Sequence, residues 1–300
     1  MPKVSNRQLH YQSIVMAGSM FAAKRSSTAF SYDAVVEDVS NGFSYYYWLK
    51  EQETEPTVIA ELQGFASSIF GSDNVLVGIG ADDANEFDDS IKSFIDSLGK
   101  STVSHELKIK PWKKSNDAVV IPGDISFSGM AADFSGLYDG RTFLMSHIVS
   151  LDYLWNEVRV KGGAYGTGLK AVANGSVFAY SFRDPNAKAS IETYYKIADY
   201  LRTFANSDRS LVGFIIGAMS SASPLLTPCE IASGADGNYI RGISEESRLM
   251  LRKQIVGTQK SDFLALADTL ESAINDSSFC VVGSKKQVDL FENLDNKFSL

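Results

Sequence analysis

Arg159 to Gly168 reads R-V-K-G-G-A-Y-G-T-G. It holds the glycines Gly162, Gly163, Gly166 and Gly168, the cations Arg159 and Lys161, and Tyr165, with no carboxylate. Glycine opens backbone conformations closed to other residues and lets a second chain or ligand approach closely. Beside an arginine and a tyrosine, that freedom suits three arrangements. Backbone amides could cradle a phosphate. A guanidinium and a phenol could hold an extended peptide by its carbonyls. The glycines could also form only a hinge between a helix and a strand, which accounts for them but not for the Arg159–Tyr165 bracket.

The phosphate reading fits poorly. From Gly163 the chain runs G-A-Y-G-T-G-L-K-A, so the lysine is displaced by one residue from its P-loop position and Ala171 stands where a hydroxyl is needed. A dinucleotide fingerprint starting at Gly166 ends on Ala171, a soft mismatch, but it should follow a strand and open a helix. Here a helical pattern precedes the glycines and a strand pattern follows.

Other chemistries lack their parts. The histidines are His10, His105 and His147. His105 and Glu106 begin H-E-L-K-I, but Ile109 occupies the second ligand position of the zincin motif and cannot bind zinc. The inverted H-x-x-E-H is absent, no cysteine pair has zinc-ligand spacing, and no G-x-S-x-G elbow occurs. His147 reads as a satisfied helix histidine. Cys229 and Cys280 sit among small or apolar neighbours and read as reduced, buried thiols. No metal is expected in this chain itself.

The elements that must position the glycine segment follow from periodicity. Ile14 to Arg25 reads helical, as do Val58, Leu62, Phe65 and Ile69 after Pro56. Val75 to Gly80 reads as a short buried strand. Phe87, Ile91, Phe94 and Leu98 form an amphipathic helix whose acidic face (Glu86, Asp88, Asp89, Asp96) reads as solvated. The basic, Pro-containing Lys108 to Asn116 is the best linker. Beyond it, Ala118 to Ile121 and Ile125 to Met130 read as strands. Thr142 to Trp155 reads as a helix with Leu144, Ile148, Leu151 and Trp155 on one buried face. Ser176 to Phe182 is a strand, and Asp184-Pro185 opens a helix whose buried face includes Ile191, Tyr194, Tyr195, Ala198, Leu201 and Ala205. Helices follow around Leu211 to Met219, Glu245 to Ile255 and Asp262 to Ile274, then a strand at Phe279 to Val282 and a helix from Gln287 to Asn293. Interspersed strands and helices make this an α/β or α+β chain.

The 300 residues are 44% hydrophobic and 21% charged, with a net charge of −8. That length suits about two domains. The acidic balance argues against nucleic acid as the main partner. The polar N-terminus lacks a secretory h-region, and no apolar run approaches the roughly 20 residues of a membrane span. The expected setting is cytoplasmic, with an organelle matrix as the alternative if a transit peptide lies upstream; no membrane partner is expected.

L-W-N-E-V-R-V-K-G-G-A-Y-G (Leu154 to Gly166) resembles the C-terminal-half signature of the M16 zinc metallopeptidases, closest to the presequence-protease branch, M16C. Y-S-F-R-D-P-N (Tyr180 to Asn186) resembles that branch's strand-to-helix junction. Phe30 to Leu49 resembles its helical G-[IF]-x-Y-Y segment, and Ala118 to Gly129 its first-strand segment. The resemblance implies an α+β fold: an M16-type sandwich, with a mainly antiparallel sheet covered by helices. Residues 1–110 would be the largely helical end of a third domain and residues 111–300 a complete fourth. It implies the substrate-binding half of an endopeptidase that degrades unfolded peptides, with zinc in the complete enzyme held by an N-terminal half that is part of the same polypeptide or a separate chain. Arg159 and Tyr165 would be its catalytic contribution, and Gly162, Gly163 and Ala164 its substrate-binding backbone. Tyr165 would donate to the oxygen on which charge develops, and Arg159 would hold substrate carbonyls or a carboxylate. The Ser176 to Phe182 strand would lie near a substrate added as an extra strand. The departure from the family pattern is the missing H-x-x-E-H, which leaves a non-catalytic scaffold or partner subunit as the alternative.

Overall fold

The computed structural model describes residues 6–52, 58–101 and 108–300. The near-zincin pair His105 and Glu106, Pro56 and residues 1–5 lie outside them. The chain groups into two compact units that do not follow sequence order: residues 1–50, 109–222 and 250–300 form one, and residues 51–108 and 223–249 the other. Residues 1–110, expected as one helical part, divide between the two.

The larger unit is built on a six-stranded sheet of order β3-β4-β2-β5-β1-β6. Its strands are β1 (Asp117–Val120), β2 (Ser126–Asp133), β3 (Gly166–Ala171), β4 (Ser176–Asp184), β5 (Ser278–Gly283) and β6 (Asn296–Ser299). β3, β4, β2 and β5 pair antiparallel, whereas β1 pairs parallel with β5 and β6. β2 alternates as a strand buried on both faces must. Met130 and Ala132 enter one core and Phe127 the other.

One face carries α7 (Gly140–Ile148), a π-wound continuation (Val149–Lys161), α8 (Ala187–Tyr194), α9 (Ile197–Ala205), α10 (Val212–Ala222), α12 (Glu245–Gly257) from Met250 onward, and α13 (Asp262–Asn275). The other face is covered by α1 (Asn6–Met16), α2 (Gly18–Ser27) and α4 (Phe43–Gln52), through Ile14, Phe21, Phe43 and Tyr46 against Val119, Phe127 and Val282; α3 (Tyr32–Asn41) packs beside α2. α2 presses on β2 at Gly129, where an added Cβ would lie 2.4 Å from the Ala23 nitrogen. Glycine permits that approach.

Several expectations are corrected. The Ile14 to Arg25 helix is two, broken at Ala17. Leu151 and Trp155 are exposed, not buried. The π winding, with i to i−5 bonds, shifts the core face by one residue, so burial runs Val149, Leu154, Val158. Tyr195 is exposed where α8 ends and α9 has not begun. The cap of α8 is Asn186, whose side chain accepts from the Ala189 amide. Asp184 instead is buried and accepts from the Asn186 amide and the Ser190 hydroxyl. The last helical turn is only α14 (Lys285–Val288), and the chain ends in β6.

The smaller unit contains α5 (Val58–Ile69), a 3₁₀ turn (Ala84–Phe87), α6 (Asp88–Ser97) and α11 (Pro228–Ile240). Val75 to Gly80 is not a strand. It runs irregularly against α11, with Gly78 facing Asp236 and Gly80 facing Ala232 at distances no side chain could share. Val75, Leu76, Val77 and Ile79 are exposed. Cys229, at the start of α11, is likewise exposed, while Cys280 in β5 is buried.

Candidate functional site

The glycine segment begins as the end of the π-wound helix, turns, and finishes as β3. Arg159 lies in the last helical turn, with its guanidinium carbon 3.8 Å from the Trp155 ring centroid and 5.9 Å from that of Tyr165. The Tyr165 ring packs edge-on to Phe182 at 5.9 Å. Its amide is shared by the carbonyls of Phe182 (3.0 Å) and Arg183 (3.4 Å). Tyr165 is 67% exposed. The two expected catalytic residues therefore converge on one open surface.

The turn is closed from within. The Gly162 amide donates to Glu157, the Gly163 amide to Arg159 and the Ala164 amide to Val158, all between 2.9 and 3.1 Å. Gly163 has φ +82°, the left-handed region glycine favours, which ends the helix. Ala164 is buried. These three residues thus commit their amides to the helix end, and their effect is to aim Tyr165. Lys161 and Glu157 pair with each other at 2.6 Å on the outer surface.

Sequence reasoning missed Trp155, Phe182 and Arg183 as neighbours of this cluster. Trp155 was expected on the buried face, and only the π register turns it outward. Arg183 is the one non-glycine residue with left-handed φ (48°) among the described residues. Its guanidinium lies 5.5 Å from the Phe182 ring. Neither Arg159 nor Arg183 has a carboxylate partner among the described residues.

The Ser176 to Phe182 strand, β4, was expected to lie near a substrate added as an extra strand. β4 is interior, paired by β3 and β2. The sheet edge is β3, and its outer side is partly sealed: the Leu169 amide donates to the Ser150 hydroxyl (2.8 Å), that hydroxyl donates to the Leu169 carbonyl (3.1 Å), and the Ala171 amide donates to the Ser146 hydroxyl (3.2 Å). Side chains that occupy an edge in this way discourage pairing with another strand.

Among the described residues no group of three or more His, Cys, Asp or Glu could hold a metal ion. His147 lies in α7, where desolvation lowers its pKa.

The PreP C-terminal domain family model matches residues 116–285. The chain is 24% identical over 295 residues to Protein HypA of Clostridium perfringens, covering 93% of this chain and 30% of that protein. It is 25% identical over 299 residues to the chloroplastic/mitochondrial Presequence protease 1 of Arabidopsis thaliana, covering 94% of this chain and 27% of that one. It therefore spans less than a third of the length of these relatives. Among solved structures, the inactive domain of a peptidase M16 from Pseudomonas fluorescens superposes with a TM-score of 0.59 at 14% identity, covering 95% of this chain and 71% of that one. Pitrilysin superposes with a TM-score of 0.56 at 13% identity, covering 99% and 34%. These two likenesses bear on the fold, and they agree with a mainly antiparallel sheet covered by helices. Because the matched stretch of sequence is more than half of its length, the chain belongs to the PreP C-terminal domain family.

Proposed function

We propose that this chain is the substrate-facing C-terminal half of a zinc-dependent endopeptidase acting on unfolded peptides, with the metal held by an N-terminal half. The observation that carries the reading is the proximity of Arg159 and Tyr165, with the guanidinium carbon 3.8 Å from the Trp155 ring centroid and 5.9 Å from that of Tyr165. Tyr165, a residue 67% exposed, would donate its hydroxyl hydrogen to a carbonyl oxygen as negative charge builds there. Such a donor is worth most when it is fixed before the reaction begins. The guanidinium offers a planar fork to a second carbonyl or to a carboxylate. Gly162, Gly163 and Ala164 bind no substrate through their amides in this reading; they hold the direction of Tyr165.

The test is Tyr165→Phe and Arg159→Ala in the complete enzyme, assayed on unstructured peptides. Tyr165→Phe should lower kcat about 10²- to 10³-fold, as loss of one preorganised donor does. Arg159→Ala should act mainly on KM. Unchanged cleavage by both variants would overturn the site and leave the non-catalytic scaffold as the better reading.

A further inference from the structure

A hollow of about 430 Å³ opens on the sheet face covered by α2 and α3, and the Arg159–Tyr165 cluster makes no use of it. Met20 and Ala23 of α2 line it together with Val172 and with Phe178 and Tyr180 of β4. Its size and mostly apolar lining suit the side chain of a ligand rather than solvent. The charged groups around it balance, Lys24 and Lys170 against Asp33 and Glu37, and Lys24 is paired with Glu37. Nothing in that balance selects a charged occupant.

A lane paved by the aromatic rings of β4 runs from the hollow toward Tyr165, with the Tyr180 ring lying over Gly168. Side chains alternate along β4, so Phe182, Tyr180 and Phe178 share this face. Their partners on β3 are Gly166, Gly168 and Lys170. At the first two positions β3 contributes no side chain. A Cβ on Gly168 would lie 3.1 Å from the Tyr180 ring, and one on Gly166 would lie 3.7 Å from the Phe182 Cβ. The lane starts at Phe182, which the Tyr165 ring touches, and ends at Phe178 in the hollow. The four residue steps from Phe182 to Phe178 span roughly 13 Å, and an extended peptide has the same rise per residue.

From this register we propose that the hollow is a specificity subsite for an apolar side chain of the substrate, four residues from the bond that Tyr165 addresses. The proposal rests on the peptidase reading above. It gives Gly168 a role that a hinge does not need, leaving room for the Tyr180 ring to lie over β3 as part of the path.

The experiment uses the complete enzyme and two sets of peptides. One set varies the residue four positions to either side of the cleaved bond between Leu, Ser and Asp; the other is a short peptide that ends before that position. Leu should be preferred over Asp by about tenfold or more in kcat/KM on one of the two sides. Met20→Trp, an exposed helix position that narrows the hollow, should abolish the preference while leaving the short peptide's cleavage unchanged. A benzophenone-bearing residue at the same position of the peptide should crosslink to Met20 or Tyr180. If the short peptide is cleaved but the preference is absent or survives Met20→Trp, or if the crosslinks map elsewhere, the subsite is wrong while the peptidase reading stands. If no peptide is cleaved by the unaltered enzyme, both fall.

Discussion

The guanidinium carbon of Arg159 lies 3.8 Å from the Trp155 ring centroid, with both residues on the same π-wound stretch. An ordinary α-helical register would have turned Trp155 toward the core. The wider winding brings it out and lays it under the arginine, so a helix irregularity sets the position of a candidate substrate-binding group. Trp155→Ala should therefore loosen Arg159 without touching Tyr165. A cation over an indole contributes about 0.5–2 kcal/mol, so KM should rise about 2- to 30-fold with kcat nearly unchanged. Trp155→Phe should fall between. Steady-state kinetics of the complete enzyme decide it: a Trp155→Ala variant with unaltered KM would show that Arg159 holds its place unaided.

Gly163 and Gly166 separate two uses of glycine within one segment. Gly163 has φ +82°, and an added Cβ would also lie 3.3 Å from the Pro185 ring. Gly163→Ala should cost roughly 1–2 kcal/mol of stability, the penalty for placing an L-residue in the left-handed region. Gly166 has no such strain and meets only an ordinary contact at 3.7 Å. Gly166→Ala should unfold within about 0.5 kcal/mol of the parent. Urea midpoints at equal m-values measure both. Equal losses would mean that conformation is not what fixes Gly163.

Part of the candidate site was legible in the sequence. Arg159 and Tyr165 stood out as a pair across glycines, and the Arg159 guanidinium carbon lies 5.9 Å from the Tyr165 ring centroid. The strands around Val119, Met130, Ala179 and Val281 were legible because they are apolar runs of strand length. β3 was not, since Gly166 and Gly168 carry no side chains from which to read alternation. β6 was missed because Asn296–Ser299 is an exposed edge with little apolar content. Val75 to Gly80 misled for the opposite reason: its apolar run looks like a buried strand, yet its glycines serve close approach to α11. α11 itself carries a readable start that was passed over, Thr227-Pro228 followed by Glu230 in a capping box. The exposure of Trp155 could not be read, because nothing in its neighbours announces the π winding.

The two cysteines should differ sharply in reactivity. Burial pushes the Cys280 thiol well up, with Asp117 adding to the effect, while Cys229 is exposed. A thiolate is the reacting species. An aromatic disulfide reagent should modify Cys229 in the native protein and Cys280 only on unfolding. Peptide mapping after a short native reaction checks this, and rapid labelling of Cys280 would contradict its place in β5.

Arg25 ties three parts of the larger unit together. Its Nε donates to Asp117 at 2.6 Å and its terminal nitrogen to Asp38 at 3.1 Å, both carboxylates being 1% exposed. The guanidinium also lies 4.8 Å from the Trp112 ring. Removing one member of a buried charge group leaves the others uncompensated and costs about 3–5 kcal/mol. Arg25→Met should show that loss in denaturant unfolding. Asp38 keeps the Ser44 hydroxyl at 2.6 Å and Asp117 keeps the Asn296 amide at 2.8 Å. Asp117→Asn added to Arg25→Met should therefore recover part of the stability, and no recovery would mean that the Asp117 charge is not what makes the single change costly.

His147 gives the fold a pH dependence of definite sign. Desolvation in α7 lowers its pKa below the ordinary 6.5, and α10 packs so closely that a Cβ on Gly217 would lie 2.6 Å from Nε2. Above pH 6.5 the imidazole is neutral in both folded and unfolded chains and adds no dependence. Below it the unfolded chain takes up the proton first, so stability falls with pH until the folded form also titrates. His147→Gln should flatten that part of the profile just below pH 6.5 while leaving the carboxylate-driven loss at lower pH. Thermal midpoints across pH 5 to 8 for the two proteins make the comparison. Parallel profiles would show that the protonated ring is accommodated between α7 and α10 without cost.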